Sequence, residues 1–192
     1  MGRLIDDWGG PLPERIESAR PDDRYAALVR SIAGQQLSGA SARAIWGRLQ
    51  ERFGGRPPTP EEVLAAEPDE LRVAAGFSHA KMAALRSLAE HIVSGELDLD
   101  GLDALDDEEV TRRLVAVRGI GQWTADLFLM FTLERGDVLP AGDLGLRNAA
   151  QRAYELAQRP APAELVAMGE VWRPYRTRAS VYLWRSLRAQ PV

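Results

Sequence analysis

An aspartate that follows an apolar loop is the residue best suited to chemistry in this sequence. Asp143 stands in "LPAGDLGLRNA" (Leu139–Ala149), directly after Pro140 and Gly142. A carboxylate with limited solvation can stabilise positive charge on a sugar or orient a water, as in glycoside hydrolysis. An aspartate that opens a helix is also an ordinary N-cap. Both interpretations remain open from these residues alone.

A glycine pair interrupts a helical pattern in "VRGIGQWTA" (Val117–Ala125). Glycine costs about 1 kcal/mol in a helix interior, so Gly119 and Gly121 predict a tight turn between two helices. The N–H groups at the start of the second helix could bind a phosphate, and glycines let the backbone approach it closely. A plain helix–helix turn would give the same pattern.

Two further stretches could contribute to binding. "VWRPYRTRASVYLWR" (Val171–Arg185) alternates aromatic residues with arginines, which suits base stacking and phosphate neutralisation but also an amphipathic helix. "SIAGQQLSGASA" (Ser31–Ala42) interrupts two helical segments and offers adjacent amide side chains. An ordinary loop that Ser38 caps explains the second stretch equally well.

Helical signals dominate the elements that must position these residues, and the sequence predicts an all-α fold. Helices are expected to begin at Asp22 or Asp23, at Ser38 and at Ser78, and a capping box at Asp106 and Glu109 should open the helix before the glycine pair. The helix after the pair is expected to reach about Glu134. The remaining expected helices are Leu144–Leu156, Pro162–Val171 and Pro174–Leu187.

Composition excludes several classes of site. The 192 residues contain no cysteine and two histidines, so thiolate metal sites and disulfides are excluded. No signal peptide or membrane span is apparent, which predicts a soluble cytoplasmic protein. Residues 1–110 carry 21 acidic and 12 basic side chains, whereas residues 111–192 carry 7 acidic side chains and 12 arginines. The basic excess of the second half permits a surface that faces phosphate.

Taken in their order along the chain, the four stretches and "GFSHAKMAALRSLA" (Gly76–Ala89) resemble the helix-hairpin-helix (HhH-GPD) base-excision DNA glycosylases. The nearest branch is the alkylation-repair one, that of 3-methyladenine DNA glycosylase II. The resemblance covers roughly residues 20–190. It implies two helical lobes around a cleft: one of about residues 21–122, and one formed by about 1–20 plus 123–192. No N-terminal β domain is expected before Tyr25.

The resemblance also implies roles for individual residues. Asp143 matches the catalytic aspartate. The other implied roles are a pocket for a flipped base at Trp123, Trp184, Tyr25, Tyr175 and Phe128; a hairpin on the DNA backbone at Arg118, Gly119, Ile120, Gly121, Gln122 and Thr124; an intercalating wedge among Gln35, Gln36 and Leu37; and main-chain carbonyls of Val115, Val117 and Ile120 around a monovalent cation, Na⁺ or K⁺.

One departure bears on the reaction. Relatives that also cleave the strand carry a lysine nucleophile two residues after the second hairpin glycine, where this chain has Trp123. The only lysine, Lys81, lies in another helix, so no Schiff base with the sugar is expected. The sequence predicts a monofunctional enzyme that needs no cofactor beyond the structural cation.

The expected function is excision of alkylated bases from double-stranded DNA by a monomer associated with the bacterial nucleoid. Three alternatives remain. A glycosylase for oxidised or mismatched bases would also use Asp143. A non-enzymatic helix-hairpin-helix clamp would bind DNA without regard to damage, and a helical scaffold for protein partners would not need the basic second half.

Overall fold

The computed structural model describes residues 23–188 and confirms the all-α class. That range contains ten α-helices, two short 3-10 helices and no strand, and none of these helices is long and apolar enough for a bilayer crossing. The α-helices are α1 Arg24–Gly34, α2 Gly39–Arg52, α3 Pro60–Ala65, α4 Pro68–Ala75, α5 His79–Val93, α6 Asp107–Ala116, α7 Gln122–Phe131, α8 Leu144–Ala153, α9 Pro162–Gly169 and α10 Arg176–Arg188, and the 3-10 helices are Asp100–Ala104 and Glu170–Trp172.

Most of the predicted helix starts are confirmed by the cap that each side chain makes. The side chain of Asp23 accepts a hydrogen bond from Ala26 N at 2.7 Å, and Ser38 and Ser78 cap α2 and α5 in the same way. The predicted capping box is only half present. Asp106 accepts from the N–H of the third helical residue at 2.8 Å, but the carboxylate of that residue, Glu109, is bound by neighbouring arginines.

Several helix bounds differ from prediction, and at the start of α10 the cause is a distant residue. α7 ends at Phe131, α8 ends at Ala153, and α9 ends at Gly169, after which a 3-10 turn continues to Trp172. α10 begins at Arg176, two residues later than predicted. The N–H of Arg176 donates to Asp137 Oδ1 at 3.3 Å, so the cap comes from a loop 39 residues away. Local sequence carries no signal for a cap of this kind.

The chain divides into two compact units, with the boundary between Ala125 and Asp126 inside α7. The expected contribution of residues 1–20 to the second lobe lies outside the described residues. In the unit that ends at Ala125, α5 is the central element, because α1, α3 and α4 all pack against it. Its side chains Leu85 and Leu88 are fully buried together with Ile32 of α1. Burying one such side chain stabilises the fold by about 1.5–3 kcal/mol.

The unit that begins at Asp126 is built around the pairing of α8 with α10. α9 and its 3-10 extension cover the same core. Small residues of α8, Ala149 and Ala150, let Leu183 of α10 approach closely. The loop of residues 136–143, which carries Asp143, therefore runs between two elements whose positions the core determines.

The glycine turn between α6 and α7 is confirmed, and the two glycines differ. Gly119 has φ +84°, and a Cβ there would lie 2.5 Å from the Cβ of Ala84 in α5. Gly121 has no positive φ, and a Cβ there would meet nothing within 4 Å. Ile120 is 3% exposed and anchors the turn in the core. Gly119 is thus required by the fold, whereas Gly121 is not.

Replacing Gly119 with Ala should lower the free energy of unfolding by about 2–5 kcal/mol. Positive φ costs an L-residue about 1–2 kcal/mol, and overpacking against Ala84 adds about 1–3 kcal/mol. Urea unfolding measures the change. Gly95→Ala is the matched control, because Gly95 has φ +79° with nothing within 4 Å of a Cβ. Equal losses at both positions would contradict the steric part of the argument.

Candidate active site

Asp143 is both the N-cap of α8 and the acceptor for a tryptophan. Its Oδ1 accepts from Leu146 N at 2.5 Å and from Trp184 Nε1 at 2.9 Å. The indole N–H comes from α10, 41 residues away, so two elements fix one carboxylate. Hydrogen bonds to an ionised acceptor are among the stronger ones. Asp143 therefore does cap α8, and the catalytic interpretation concerns the same carboxylate.

The loop before Asp143 is held by the start of α10. Thr177 N donates to Gly136 O at 3.1 Å, and Val138 N donates to Thr177 Oγ1 at 3.0 Å. The Thr177 hydroxyl in turn donates to Arg135 O at 2.6 Å. Asp143 N closes the loop on Pro140 O at 2.9 Å. These bonds leave the carboxylate little freedom to move relative to α10.

The aromatic contact of Trp184 involves a residue that sequence reasoning did not single out. Phe131, the last residue of α7, lies 6.3 Å from Trp184 between ring centroids, with the planes tilted by 36°. Both rings are partly buried. Sequence reasoning assigned Trp184 to base stacking only and missed its hydrogen bond to Asp143. The periodicity of the apolar residues in α7 was the available signal for Phe131.

Much of the arginine and aromatic segment is structural. Trp172 is 6% exposed and donates from Nε1 to Tyr154 Oη at 3.2 Å. Arg176 Nε binds Asp137 Oδ1 at 2.7 Å, and Arg173 Nη1 binds Asp137 Oδ2 at 2.8 Å. Burial opposes ionisation of Asp137, but the hydrogen bonds and charges of the two arginines outweigh it and lower its pKa. Trp172, Arg173 and Arg176 therefore serve the fold, but not as one amphipathic helix: only Arg176 lies in α10, and both arginines are ion-paired with Asp137.

In the other unit, the turn of residues 118–121 lies on α5. Arg118 N donates to Ser87 Oγ at 3.2 Å, and Gly119 is in contact with Ala84. Thr124 is 3% exposed, so its side chain packs in the core and only its main chain could meet a phosphate. Arg118 is exposed in this turn.

The predicted wedge residues, Gln35 to Leu37, differ in what their side chains do. Gln35 Nε2 donates to Gly119 O at 2.8 Å, so this side chain reaches the hairpin. Gln36 is exposed and has φ +58°, a conformation that is uncommon for a residue other than glycine. Leu37 is 39% exposed. The wedge prediction accordingly rests on Gln36 and Leu37.

The structure places the other predicted pocket residues in quite different surroundings. Trp123 is 43% exposed and Tyr175 is 63% exposed, whereas Phe128 is only 4% exposed. Tyr25 lies at the opposite end of α1 from the Gln35 loop, and its hydroxyl is buried without a hydrogen-bond partner in residues 23–188. Burial, together with Glu61, Asp23 and Glu62, raises the pKa of Tyr25 above its ordinary value. A shared pocket for these residues stays a prediction.

The predicted cation site would use main-chain carbonyl oxygens as ligands. Val115 and Val117 stand at the C-terminal end of α6, where the helix carries partial negative charge, and Ile120 follows in the turn. Main-chain carbonyls of this kind are ligands for monovalent cations. No cluster of three or more histidine or carboxylate side chains that could hold a metal occurs between residues 23 and 188.

Comparison with known proteins decides the family. The sequence profile described as "HhH-GPD superfamily base excision DNA repair protein" matches residues 29–174. The chain belongs to this superfamily. The HhH-GPD match includes the Gln35 loop, α5, the hairpin and Asp143, so the resemblance drawn from those motifs is confirmed.

Individual HhH-GPD relatives agree over nearly the whole chain. DNA-3-methyladenine glycosylase 1 of Schizosaccharomyces pombe is 36% identical over 96% of this chain and 80% of its own. A solved structure of the Schizosaccharomyces pombe 3-methyladenine DNA glycosylase with abasic DNA has a TM-score of 0.88 at 35% identity, covering 98% of this chain and 91% of that one. A DNA-3-methyladenine glycosidase of Bacillus halodurans has a TM-score of 0.82 at 38% identity, covering 96% and 82%.

Replacing Asp143 with Asn should separate its capping of α8 from the catalytic role predicted for it. Asparagine caps a helix about as well as aspartate, so the melting temperature should stay nearly unchanged. The negative charge is lost, and base excision should fall by about 100-fold or more, as on removal of other groups that stabilise charge in a transition state. Single-turnover excision and thermal unfolding measure the two effects.

The matched control is Asp106→Asn, the same change at the N-cap of α6. Its excision rate should equal that of the unaltered protein. Near-normal turnover by Asp143→Asn would contradict the catalytic assignment.

Proposed function

We propose that this protein is a monofunctional DNA glycosylase that excises alkylated bases of the 3-methyladenine type and leaves an abasic site. The observation that carries the proposal is the Asp143 carboxylate, held by a main-chain N–H at 2.5 Å and an indole N–H at 2.9 Å. The names of its relatives, which are 3-methyladenine glycosylases, support the choice of substrate.

The reaction begins with rotation of the damaged nucleotide out of the duplex, which costs a few kcal/mol. An alkylated purine with a formal positive charge is already a good leaving group. A tryptophan face attracts such a cation by up to about 2 kcal/mol when water is excluded, and Trp184 and Trp123 are the tryptophans proposed for this contact. Asp143 would stabilise the positive charge that develops on the sugar and help to activate the attacking water.

The absence of a suitable amine supports hydrolysis without strand cleavage. Trp123 stands at the hairpin position where a lysine nucleophile would be needed. The single lysine of the chain, Lys81, donates from Nζ to Ala33 O at 2.7 Å, in the unit that ends at Ala125. A covalent intermediate would need an amine that attacks the sugar, and neither position 123 nor Lys81 provides one. No covalent enzyme–DNA intermediate is therefore proposed.

The proposed cation at the carbonyls of Val115, Val117 and Ile120 would be Na⁺ or K⁺. Such an ion would neutralise part of the phosphate charge facing the hairpin. One site acting on one lesion needs one copy of the chain, so a monomer is proposed. Its substrate would place it on chromosomal DNA, at the nucleoid of a bacterial cell.

The direct test is incubation with DNA treated with a methylating agent, followed by chromatography of the released bases. Free methylated base should appear, and its identity gives the specificity. A labelled duplex in parallel should break only after alkali, and borohydride should trap no protein–DNA adduct. Release of an oxidised or mismatched base instead would favour the rival glycosylase, and binding without release would favour a clamp.

Gly121→Ala should weaken DNA binding without weakening the fold. A Cβ at Gly121 points into open space, and Ala125 N donates to Gly121 O in the first turn of α7. If that turn meets a phosphate, the methyl group would hold it away and reduce affinity for abasic duplex by about tenfold, roughly the value of one hydrogen bond to a charged group. Fluorescence anisotropy measures the change.

Gly47→Ala in α2 is the control, because a Cβ there also meets nothing within 4 Å. Its affinity for abasic duplex should match that of the unaltered protein. An unchanged affinity for Gly121→Ala would remove the hairpin from the DNA interface.

A further inference from the structure

The proposed function assigns no role to the segment Gly76–Ala89, although its helix contacts two of the segments that the function uses. Three residues of α5 at spacings of three lie along one face of the helix: Lys81, Ala84 and Ser87. Lys81 Nζ donates to Ala33 O at 2.7 Å, at the end of α1. Ala84 contacts Gly119, and Ser87 Oγ accepts from Arg118 N at 3.2 Å. One helix face therefore supports both the end of α1 and the hairpin.

A direct bond joins the two segments that rest on this face. Gln35 follows the last residue of α1, and its Nε2 donates to Gly119 O at 2.8 Å. A carbonyl oxygen only accepts, so the nitrogen of the amide must face it. The bond spans 84 positions of sequence, and the residue it reaches belongs to the hairpin that we propose to grip the DNA backbone.

The loop that Gln35 begins is short and held at both ends. It comprises Gln35 to Ser38, between the end of α1 and the N-cap of α2. Leu37 N donates to Gly34 O at 3.3 Å, and Ser38 Oγ accepts from Ser41 N at 3.3 Å. Gln36 at its tip is exposed with φ +58°. Positive φ in a non-glycine residue persists only when the surroundings hold it.

We infer that Gln35 is a positioning residue that locks the wedge loop to the DNA-gripping hairpin, so that the place where the backbone is held determines where the tip at Gln36 and Leu37 enters the duplex. The inference rests on the proposed function. It removes Gln35 from the intercalating residues and assigns insertion to the loop tip. Without the amide bond, the tip would still be exposed but its distance from the gripped phosphate would vary.

The test compares one reaction in two duplex contexts. A duplex whose labelled strand has central adenines as its only purines is methylated while double-stranded, which protects the pairing edge of each adenine. The labelled strand is then annealed again to its full complement or to a strand with mismatches opposite those adenines. Insertion of a wedge matters most where the base is well paired, because opening a mismatch costs less. Gln35→Met keeps the length of the side chain and removes its donor.

The expected result is a loss in kcat/KM of about three- to tenfold on the paired duplex, the range for one hydrogen bond between neutral groups. The loss on the mismatched duplex should be less than twofold. Gln35→Leu, which also lacks a donor and adds no charge beside the hairpin, should behave alike and provides a second variant. Gln151→Met is the matched control, since Gln151 Nε2 also donates to a main-chain carbonyl, Leu156 O, at 3.5 Å.

A second measurement asks whether Gln35 acts through the loop tip. In a background with Gln36→Ala and Leu37→Ala, the change Gln35→Met should cause no further loss on the paired duplex. A fully additive loss, an equal loss in both contexts, or no loss in either would overturn the positioning role. If the unaltered protein released base from neither duplex, the proposed function would fail, and this inference with it.

Discussion

The turn between α6 and α7 can close only because residue 119 lacks a Cβ. Its φ of +84° and its contact with Ala84 would each disfavour any larger residue. Ile120, which is only 3% exposed, anchors the turn in the core. The adjacent Gly121 is free of both constraints, so its small size serves the outer surface of the turn. The absence of a side chain at Gly121 is compatible with the proposed main-chain contact with a phosphate.

The carboxylate of Asp143 combines a stabilising interaction with the catalytic role proposed for it. An N-cap contributes roughly 1 kcal/mol to stability, and the same hydrogen bond orients the carboxylate. Trp184 adds a second donor to Oδ1 from α10, while Thr177 ties the preceding loop to the start of that helix. Since the positioning residues also build the local core, the group that would act on the sugar is preorganised.

Part of the positive charge in the second half of the chain is paired within the fold. Asp137 binds both Arg173 and Arg176, and those arginines have partners within their own unit. The basic excess counted from the sequence therefore overstates the number of arginine side chains that could bind DNA. Main-chain groups of the hairpin become correspondingly more important in the proposed contact with phosphate.

The sequence by itself determined the all-α class, the caps at Ser38, Ser78 and Asp143, the glycine turn and the family, and it narrowed the first cap to Asp22 or Asp23. The helices and their caps arise from neighbours three or four positions apart, so local residue types carry their signal. The family follows from the order of several motifs along the chain. Only the tertiary structure decided that Gln35 reaches Gly119, that Trp184 donates to Asp143, and that Arg176 is bound by Asp137, across 84, 41 and 39 positions. Each of those contacts depends on how distant segments pack, and the identity of one residue does not encode the partner that packing brings to it.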